Sequence, residues 1–114
     1  MVEDDETTRR AMVEILEMLN YRVLEAANGQ EALETFDRHG GEIALVLSDL
    51  VMPEMGGRTL FQALRQRDAS VKIVVLTGHP LGEGMEGLQA QGVVDWVQKP
   101  FSLEELAEAV ARAL

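Results

Sequence analysis

Short apolar segments alternate with amphipathic segments along the whole chain. Residues 43–48 and 71–76 are nearly continuous apolar runs, a pattern typical of strands that are covered on both faces. Residues 93–98 form a third apolar segment, and residues 21–27 form a fourth in which charged side chains interrupt the pattern, as an edge strand permits. Residues 1–2 add a short strand fragment at the beginning. The pattern therefore predicts five strands.

Amphipathic helices are predicted after each of these strands. Their predicted ranges are 6–19, 28–39, 58–67, 81–91 and 102–114. The last helix has the clearest start, because Ser102 can cap it and Glu105 can return the bond. The positions predicted to face the core are Ala11, Ile15 and Leu19 on the first helix, Leu60, Phe61 and Leu64 on the third, and Leu103, Leu106, Ala107, Val110 and Leu114 on the last.

A strand followed by a helix, repeated five times, predicts an α/β fold of the (βα)5 type, with helices wound on both faces of a parallel five-stranded sheet. A chain of 114 residues holds one core and is too short for two, so we predict a single domain. The carboxyl ends of parallel strands share one edge of the sheet, and ligands bind there in folds of this class. Polar residues at the strand ends are therefore the candidates for function.

Charge and composition exclude several classes of function. Ten Lys and Arg against twenty Asp and Glu give a net charge of −10, which repels nucleic-acid phosphates and anionic lipids. We therefore expect neither direct nucleic-acid binding nor direct membrane contact. No apolar run approaches the length of a membrane span, and the acidic beginning does not resemble a signal peptide. The lack of cysteine excludes thiolate chemistry and fits a cytoplasmic location.

Five polar side chains follow the predicted strands. Glu3 and Asp4 follow the first strand and Asp49 follows the third, while Thr77 and Lys99 follow the fourth and fifth. Three carboxylates, a hydroxyl and an ammonium group do not suit acyl transfer, because neither histidine is placed to activate a nucleophile. They do suit a phosphoryl group, since an ionised carboxylate needs no base to attack phosphorus.

Closely packed carboxylates repel one another unless a cation neutralises them. Mg²⁺ is the natural occupant, because it prefers a few carboxylate oxygens together with water and phosphate oxygens. Asp4 and Asp49, with Glu3 acting through water, would leave positions open for a phosphate. Asp49 would then be the nucleophile, and the metal and Lys99 would stabilise charge on the transferring oxygens. Asp5 has a simpler role as the cap of the first helix.

The residues at these strand ends resemble the receiver domain of two-component response regulators. The resemblance is carried by residues 48–57, Ser-Asp-Leu-Val-Met-Pro-Glu-Met-Gly-Gly, by Leu76-Thr77 and by Lys99-Pro100-Phe101. It covers essentially the whole chain, so residues 1–114 are expected to form one receiver domain of flavodoxin-like fold with the strand order 2-1-3-4-5. Receivers usually carry more apolar residues before the acidic pair, so the first strand is expected to be truncated and Met1 to be internal to a longer protein.

The resemblance implies roles at the metal site. Asp49 would be the phosphorylated aspartate, and Glu3 and Asp4 would be the acidic pair that holds Mg²⁺. Val51 would add its backbone carbonyl to the metal. The alternative pair, Asp4 and Asp5, is less consistent with Arg9, which stands five residues after the second acid of the Glu3–Asp4 pair, as in many receivers.

Three further roles follow from the same resemblance. Thr77 would bind the phosphoryl oxygens, and Lys99 would pair with them. Trp96 falls where the family carries an aromatic switch residue. Each role has a simpler structural alternative: Thr77 as a β-branched strand residue, Lys99 as a surface cation whose stem packs on the sheet, and Trp96 as a packing residue.

The expected function is that of a phosphorelay switch. A histidine kinase or phosphotransfer protein would pass its phosphoryl group to Asp49 in the presence of Mg²⁺, and the domain would also phosphorylate and dephosphorylate itself. The surface formed by the predicted helix over 81–91, the strand over 93–98 and the last helix would contact an output domain or a second copy. The segments 22–29 and 76–79 resemble receivers of hybrid sensor histidine kinases.

Two alternatives remain open from the sequence. A pseudo-receiver would keep the fold as an interaction module without phosphorylation, although it usually lacks one of the acid, hydroxyl or lysine positions that are filled here. A phosphohydrolase with an aspartate nucleophile would share the metal but typically needs a second Asp two residues after the first, where this chain has Val51.

Overall fold

The computed structural model of the chain describes residues 1–49, 57–78 and 92–114. The predicted helix over 81–91 and the segment 50–56 that contains Val51 lie outside these ranges. The described helices are α1 (Glu6–Met18), α2 (Gly29–His39), α3 (Gly57–Arg67) and α4 (Leu103–Ala113), and a short 3₁₀ helix (Gly40–Glu42) follows α2. The described strands are β1 (Val46–Asp49), β2 (Ile73–Thr77) and β3 (Val93–Gln98).

The three strands form a parallel sheet in the order β1-β2-β3. Val2 extends this sheet, since it forms one parallel bridge with Ser48 of β1 and another with Ala26 on its other side. The spatial order is therefore residue 26, residue 2, β1, β2 and β3, which is the predicted order 2-1-3-4-5. The α/β fold with a parallel sheet is confirmed, with the first two predicted strands represented by bridges.

The helices cover both faces of the sheet. Ile73 and Val75 belong to one hydrophobic cluster, and Val74 and Leu76 belong to another. Because successive strand residues point to opposite faces, these are the two faces of the sheet. The first cluster includes Ala32 and Phe36 of α2 and Leu60, Phe61 and Leu64 of α3, whereas the second includes Met12 and Leu16 of α1 and Leu106, Ala109 and Val110 of α4.

Three strands depart from their predicted boundaries. The predicted strands over 43–48 and 71–76 begin later, at Val46 and Ile73, and end one residue later, at Asp49 and Thr77. The Val46 amide donates to the carbonyl oxygen of Lys72, just before β2, at 2.9 Å. The strand β1 thus begins where the adjacent segment provides an acceptor. The predicted strand over 21–27 pairs at the single bridge to Val2 and has no continuous ladder in the described residues.

Two helix faces also differ from the prediction. On α1, Ala11 and Leu19 are exposed and Ile15 is only partly buried, while the buried residues are Met12, Val13 and Leu16. The apolar positions of this helix cover a wide arc, and docking on the sheet selects one part of it. On α4, Leu103 and Leu114 are exposed, and the buried residues are Leu106, Ala109, Val110 and Ala113. The predicted core positions of α3, namely Leu60, Phe61 and Leu64, are confirmed.

Side-chain caps fix the starts of three helices. Asp5 accepts from the Thr8 amide at the start of α1, and Asn28 accepts from the Glu31 amide at the start of α2. The predicted cap of the last helix is confirmed, since Ser102 Oγ accepts from the Glu105 amide at 3.1 Å. Among the helices in the described ranges, none is both long and apolar enough to span a bilayer.

Candidate functional site

The carboxyl-end edge of the sheet begins with an acidic turn between Val2 and α1. Glu3 is buried, with 3% of its surface exposed, and its amide donates to Ala26 O at 3.1 Å. Asp4 is exposed. Asp5 accepts from both the amide and the hydroxyl of Thr8, and these hydrogen bonds, the hydroxyl first, lower the pKa of the Asp5 carboxyl. The predicted capping role of Asp5 is confirmed.

Asp49 and Lys99 meet at the same edge. Asp49 ends β1, and the ammonium of Lys99 lies 3.0 Å from Asp49 Oδ2 and 3.4 Å from Glu3 Oε2. Lys99 follows β3 and is joined to Pro100 by a cis peptide bond. Residues that are 96 and 50 positions apart along the chain are thus brought into one polar cluster.

The carboxylates of Glu3, Asp4 and Asp49 form a group with metal-binding geometry. One oxygen from each lies within 4.8 Å of the others. Carboxylate oxygens are hard donors of the kind that Mg²⁺ prefers, and three of them leave room for water and phosphate oxygens around an octahedral ion. The residues present therefore fit the divalent cation predicted from the sequence. Val51 lies outside the described residues.

Burial and charge act on the ionisation of this cluster. Burial raises the pKa of Glu3 to about 7, and the hydrogen bond and charge of Asp49 act in the same direction, against the opposing effect of Lys99. For Lys99, burial disfavours the charged form, but Asp49 and Glu3 together outweigh it and raise the pKa of the ammonium. Glu3 therefore binds a proton more readily than a free carboxyl does, and a divalent cation held by the same carboxylates would compete with that proton.

Thr77 lies beside Asp49 on the neighbouring strand. It ends β2 and is buried, and it stands one position beyond Leu76, the register partner of Asp49. Its carbonyl accepts from the Lys99 amide at 2.7 Å. The structure therefore gathers Glu3, Asp4, Asp49 and Lys99 directly and places Thr77 next to them.

Trp96 occupies a different environment. It lies in the middle of β3, opposite Val75 of β2, and is partly buried against the hydrophobic cluster that α2 and α3 form with the sheet. Its amide donates to Asp95 Oδ1 at 2.8 Å. The packing role considered in the sequence is thus observed, while the switch role stays a prediction.

Arg9 contacts the acidic turn in a way that the sequence did not indicate. Its Nη1 donates to the backbone carbonyl of Glu3 at 2.9 Å, and its Nε donates to Glu25 Oε1 at 3.3 Å. The sequence pattern used Arg9 only to choose between two acidic pairs. Its contact with Glu25, 16 positions away in another segment, has no counterpart in local sequence spacing.

The sequence of this chain is similar to those of known proteins. The sequence model of the family described as "Response regulator receiver domain" matches residues 1–111. The sensor kinase CckA of Brucella abortus (strain 2308) is 40% identical over 114 residues, which cover 100% of this chain and 12% of that protein. The C4-dicarboxylate transport transcriptional regulatory protein DctD of Rhizobium meliloti is 32% identical over 99% of this chain and 24% of that protein. The chain thus spans a small part of these curated relatives.

Solved structures share the fold over nearly the full chain. The chemotaxis protein CheY4 of Vibrio cholerae has a TM-score of 0.92 and 30% identity, with 99% of this chain and 94% of that chain covered. The CheX–CheY complex from Borrelia burgdorferi, solved with BeF₃ and Mg²⁺, has a TM-score of 0.92 at 20% identity, covering 97% of this chain and 84% of that chain. At that level of identity, the second likeness concerns the fold alone.

Proposed function

The chain belongs to the response regulator receiver domain family of two-component signalling, and from this premise we propose that Asp49 is its phosphoacceptor. A phosphohistidine of the donor would lose its N–P bond while an oxygen of the Asp49 carboxylate forms a new O–P bond. The products are an aspartyl phosphate and a free histidine on the donor. The observation that carries the proposal is the meeting of Asp49 with the Lys99 ammonium at 3.0 Å and with the acidic pair Glu3 and Asp4.

The metal of this reaction would be held by the carboxylates of Glu3, Asp4 and Asp49, whose oxygens lie within 4.8 Å of one another. Family resemblance adds the backbone carbonyl of Val51. When bound, Mg²⁺ supplies positive charge that offsets both the carboxylates and the phosphoryl oxygens. Glu3 is held in place by its buried position, whereas the exposure of Asp4 leaves that side open to solvent and to a donor.

Lys99 and Thr77 complete the proposed site. The Lys99 ammonium, already 3.0 Å from Asp49, would pair with a phosphoryl oxygen once Asp49 is modified. The hydroxyl of Thr77 would donate to another phosphoryl oxygen from the end of β2. When Thr77 and Lys99 move towards the phosphoryl group, Trp96 would change position as the switch residue, since it lies on β3 three residues before Lys99.

Receiver domains take their phosphoryl group from histidine kinases or phosphotransfer proteins, and we propose the same class of donor here. Output would pass to a downstream domain or to a second copy through β3, α4 and the predicted helix over 81–91, which lies outside the described residues. A hybrid sensor kinase as the parent protein is proposed from the 40% identity to the CckA sensor kinase. A cytoplasmic location stays a prediction.

The test is phosphorylation of the purified domain by acetyl phosphate, followed by intact mass spectrometry. We expect one added phosphoryl group in the presence of Mg²⁺, none in EDTA, and none in Asp49→Asn. The matched control is Asp37→Asn, which changes a carboxylate whose partner is Arg67 on the surface of α2 and α3 and should still be phosphorylated.

Other outcomes favour the alternatives. A folded domain that gains no phosphoryl group under any of these conditions would contradict the proposal and favour a pseudo-receiver. Rapid turnover of phosphate esters over many cycles would contradict it in favour of a phosphohydrolase, because self-dephosphorylation of Asp49 consumes acetyl phosphate but not esters. An adduct that persists in Asp49→Asn would place the acceptor elsewhere.

A further inference from the structure

Arg9 links three segments of the chain: α1, the turn that contains Glu3, and the segment that contains Glu25. It lies in α1, its Nη1 donates to the carbonyl of Glu3 at 2.9 Å, and its Nε lies 3.3 Å from Glu25 Oε1. The side chain of Arg9 is only 15% exposed, so its position is defined by these two contacts and by packing. The planar guanidinium has several donors in a fixed arrangement, which suits a group that must hold two acceptors at once.

The carbonyl that Arg9 binds belongs to the peptide unit between Glu3 and Asp4. Because a peptide unit is planar, fixing that oxygen also fixes the direction in which the chain enters Asp4. Glu3 is then held at three points: its amide donates to Ala26 O at 3.1 Å, its carboxylate lies 3.4 Å from the Lys99 ammonium, and its carbonyl is bound by Arg9. Asp4 itself is exposed, so its direction depends on the preceding peptide.

We propose that Arg9 is a positioning residue that orients the Glu3–Asp4 pair for Mg²⁺, with Glu25 as its anchor. The inference rests on the proposed function, since it concerns the same metal site. Charge and geometry make opposite predictions for Arg9. As a cation alone, it would repel Mg²⁺ and weaken binding, whereas as a donor to the Glu3 carbonyl it would strengthen binding by holding the ligands in place.

The test is the Mg²⁺ dissociation constant of the unphosphorylated domain, measured by titrating MgCl₂ and following amide shifts in ¹H–¹⁵N NMR spectra. Arg9→Met keeps the length of the stem and removes both hydrogen bonds, and we expect it to weaken Mg²⁺ binding about tenfold, as is usual when a group supporting a metal ligand is lost. Arg9→Lys keeps the charge without the planar guanidinium, and we expect binding to be weakened as well, by a smaller factor.

The matched control is Arg10→Met, on the next residue of the same helix. Arg10 is 72% exposed and pairs with Glu6 at 3.2 Å, so this variant removes the same charge without touching the Glu3 carbonyl. We expect its Mg²⁺ affinity to be unchanged or slightly higher. Should Arg9→Met unfold, Glu25→Met provides the same test, because it leaves Arg9 in place and removes the oxygen that accepts from Arg9 Nε; a weakening of about twofold to threefold is expected.

The outcomes separate this inference from the proposed function. Unchanged or tighter Mg²⁺ binding in a folded Arg9→Met or Glu25→Met variant would overturn the positioning role while leaving phosphorylation of Asp49 intact. Equal weakening by Arg9→Met and Arg10→Met would show that the loss does not depend on the hydrogen bond to the Glu3 carbonyl, and would also overturn it. A wild-type domain that neither binds Mg²⁺ nor accepts a phosphoryl group would overturn both proposals together.

Discussion

The central strand β2 and the Glu3 side chain at the charged edge of the sheet are both removed from water, with opposite results. From Ile73 to Leu76, each side chain is 0% exposed and packs into a hydrophobic cluster on one face or the other. Glu3 at the edge is nearly as buried, at 3%, but it carries a carboxyl group, and burial raises its pKa to about 7. Burial stabilises the apolar strand, whereas at the edge it disfavours the charged form of the side chain.

This difference implies that different regions of the domain supply its stability and its metal binding. The clusters on both faces of β2 supply the stability, and the edge holds carboxylates close together, where a bound cation would offset their repulsion. Removal of core volume should therefore reduce stability without altering the edge. Removal of an edge carboxylate should reduce metal binding and need not reduce stability.

The largest effect is expected in the core, at Phe61. This side chain of α3 is 0% exposed and packs in the same cluster as Ile73 and Val75 of β2. Phe61→Ala should lower the free energy of unfolding by about 3 to 5 kcal/mol, through lost apolar contact and a cavity. Urea denaturation measures the loss, and an NMR titration at a temperature where the variant is folded measures Mg²⁺ affinity, which should be unchanged.

The conservative variant Phe61→Leu is the control for this experiment, with an expected loss of about 1 kcal/mol. A tenfold change in Mg²⁺ affinity in folded Phe61→Ala would contradict the separation of core and edge.

A smaller effect, with a distinctive pH dependence, is expected at Glu3. Its pKa in the folded domain is about 7, above the ordinary value of 4.5, so the folded state binds this proton more tightly than the unfolded state does. In EDTA, the contribution of Glu3 to stability therefore falls as the pH rises from about 4.5 to about 7, and the penalty is complete above that range. Glu3→Gln removes this dependence and should be more stable than the wild type at pH 8, by on the order of 2 kcal/mol.

Urea denaturation at a series of pH values between about 5 and 8 measures this difference. Glu14→Gln, at an exposed carboxyl of α1, is the control and should follow the wild-type profile. If Glu3→Gln has the same pH profile as the wild type, the ionisation of Glu3 is not what distinguishes the edge from the core. The same variant should lose Mg²⁺ affinity.

The smallest effect separates two neighbouring carboxylates. Asp5→Ala removes the cap of α1 and should lower the free energy of unfolding by about 1 kcal/mol, while Mg²⁺ affinity changes little. Asp4→Ala should do the reverse, weakening Mg²⁺ binding with little change in stability, because Asp4 is exposed and belongs to the metal-binding group. Thermal unfolding and Mg²⁺ titration of both variants measure the contrast. A loss of Mg²⁺ affinity in both Asp4→Ala and Asp5→Ala would assign the pair to Asp4 and Asp5.

The elements predicted best from the sequence are those whose apolar pattern fits only one secondary structure or one buried face. The strand over 93–98 was predicted with the bounds that β3 has, and the core face of α3 was predicted at Leu60, Phe61 and Leu64. The polar edge was also predictable as a set. Parallel strands have their carboxyl ends at one edge of the sheet, so the fold class predicts Asp49 and Lys99 at the same edge, and the structure places them 3.0 Å apart.

The features that could not be predicted depend on contacts between distant segments. The apolar positions of α1 cover enough of the helix for two faces to be plausible, and docking on the sheet buries Met12, Val13 and Leu16 in place of Ala11 and Leu19. On α4, the buried face includes Ala109 and Ala113, since small side chains allow the helix to approach the sheet, while the larger Leu103 and Leu114 remain exposed.

The hydrogen bond from the Lys99 amide to Thr77 O, at 2.7 Å, links the last residue of β2 to the residue that follows β3. The hydrogen bond joins the main chain at these two strand ends, so we expect a displacement of one end to act on the other. The two residues proposed to hold the phosphoryl group, Thr77 and Lys99, are therefore joined to each other through their main chains. We therefore expect the Thr77 hydroxyl and the Lys99 ammonium to move together towards a phosphorylated Asp49, and the main chain of β3 to move with them.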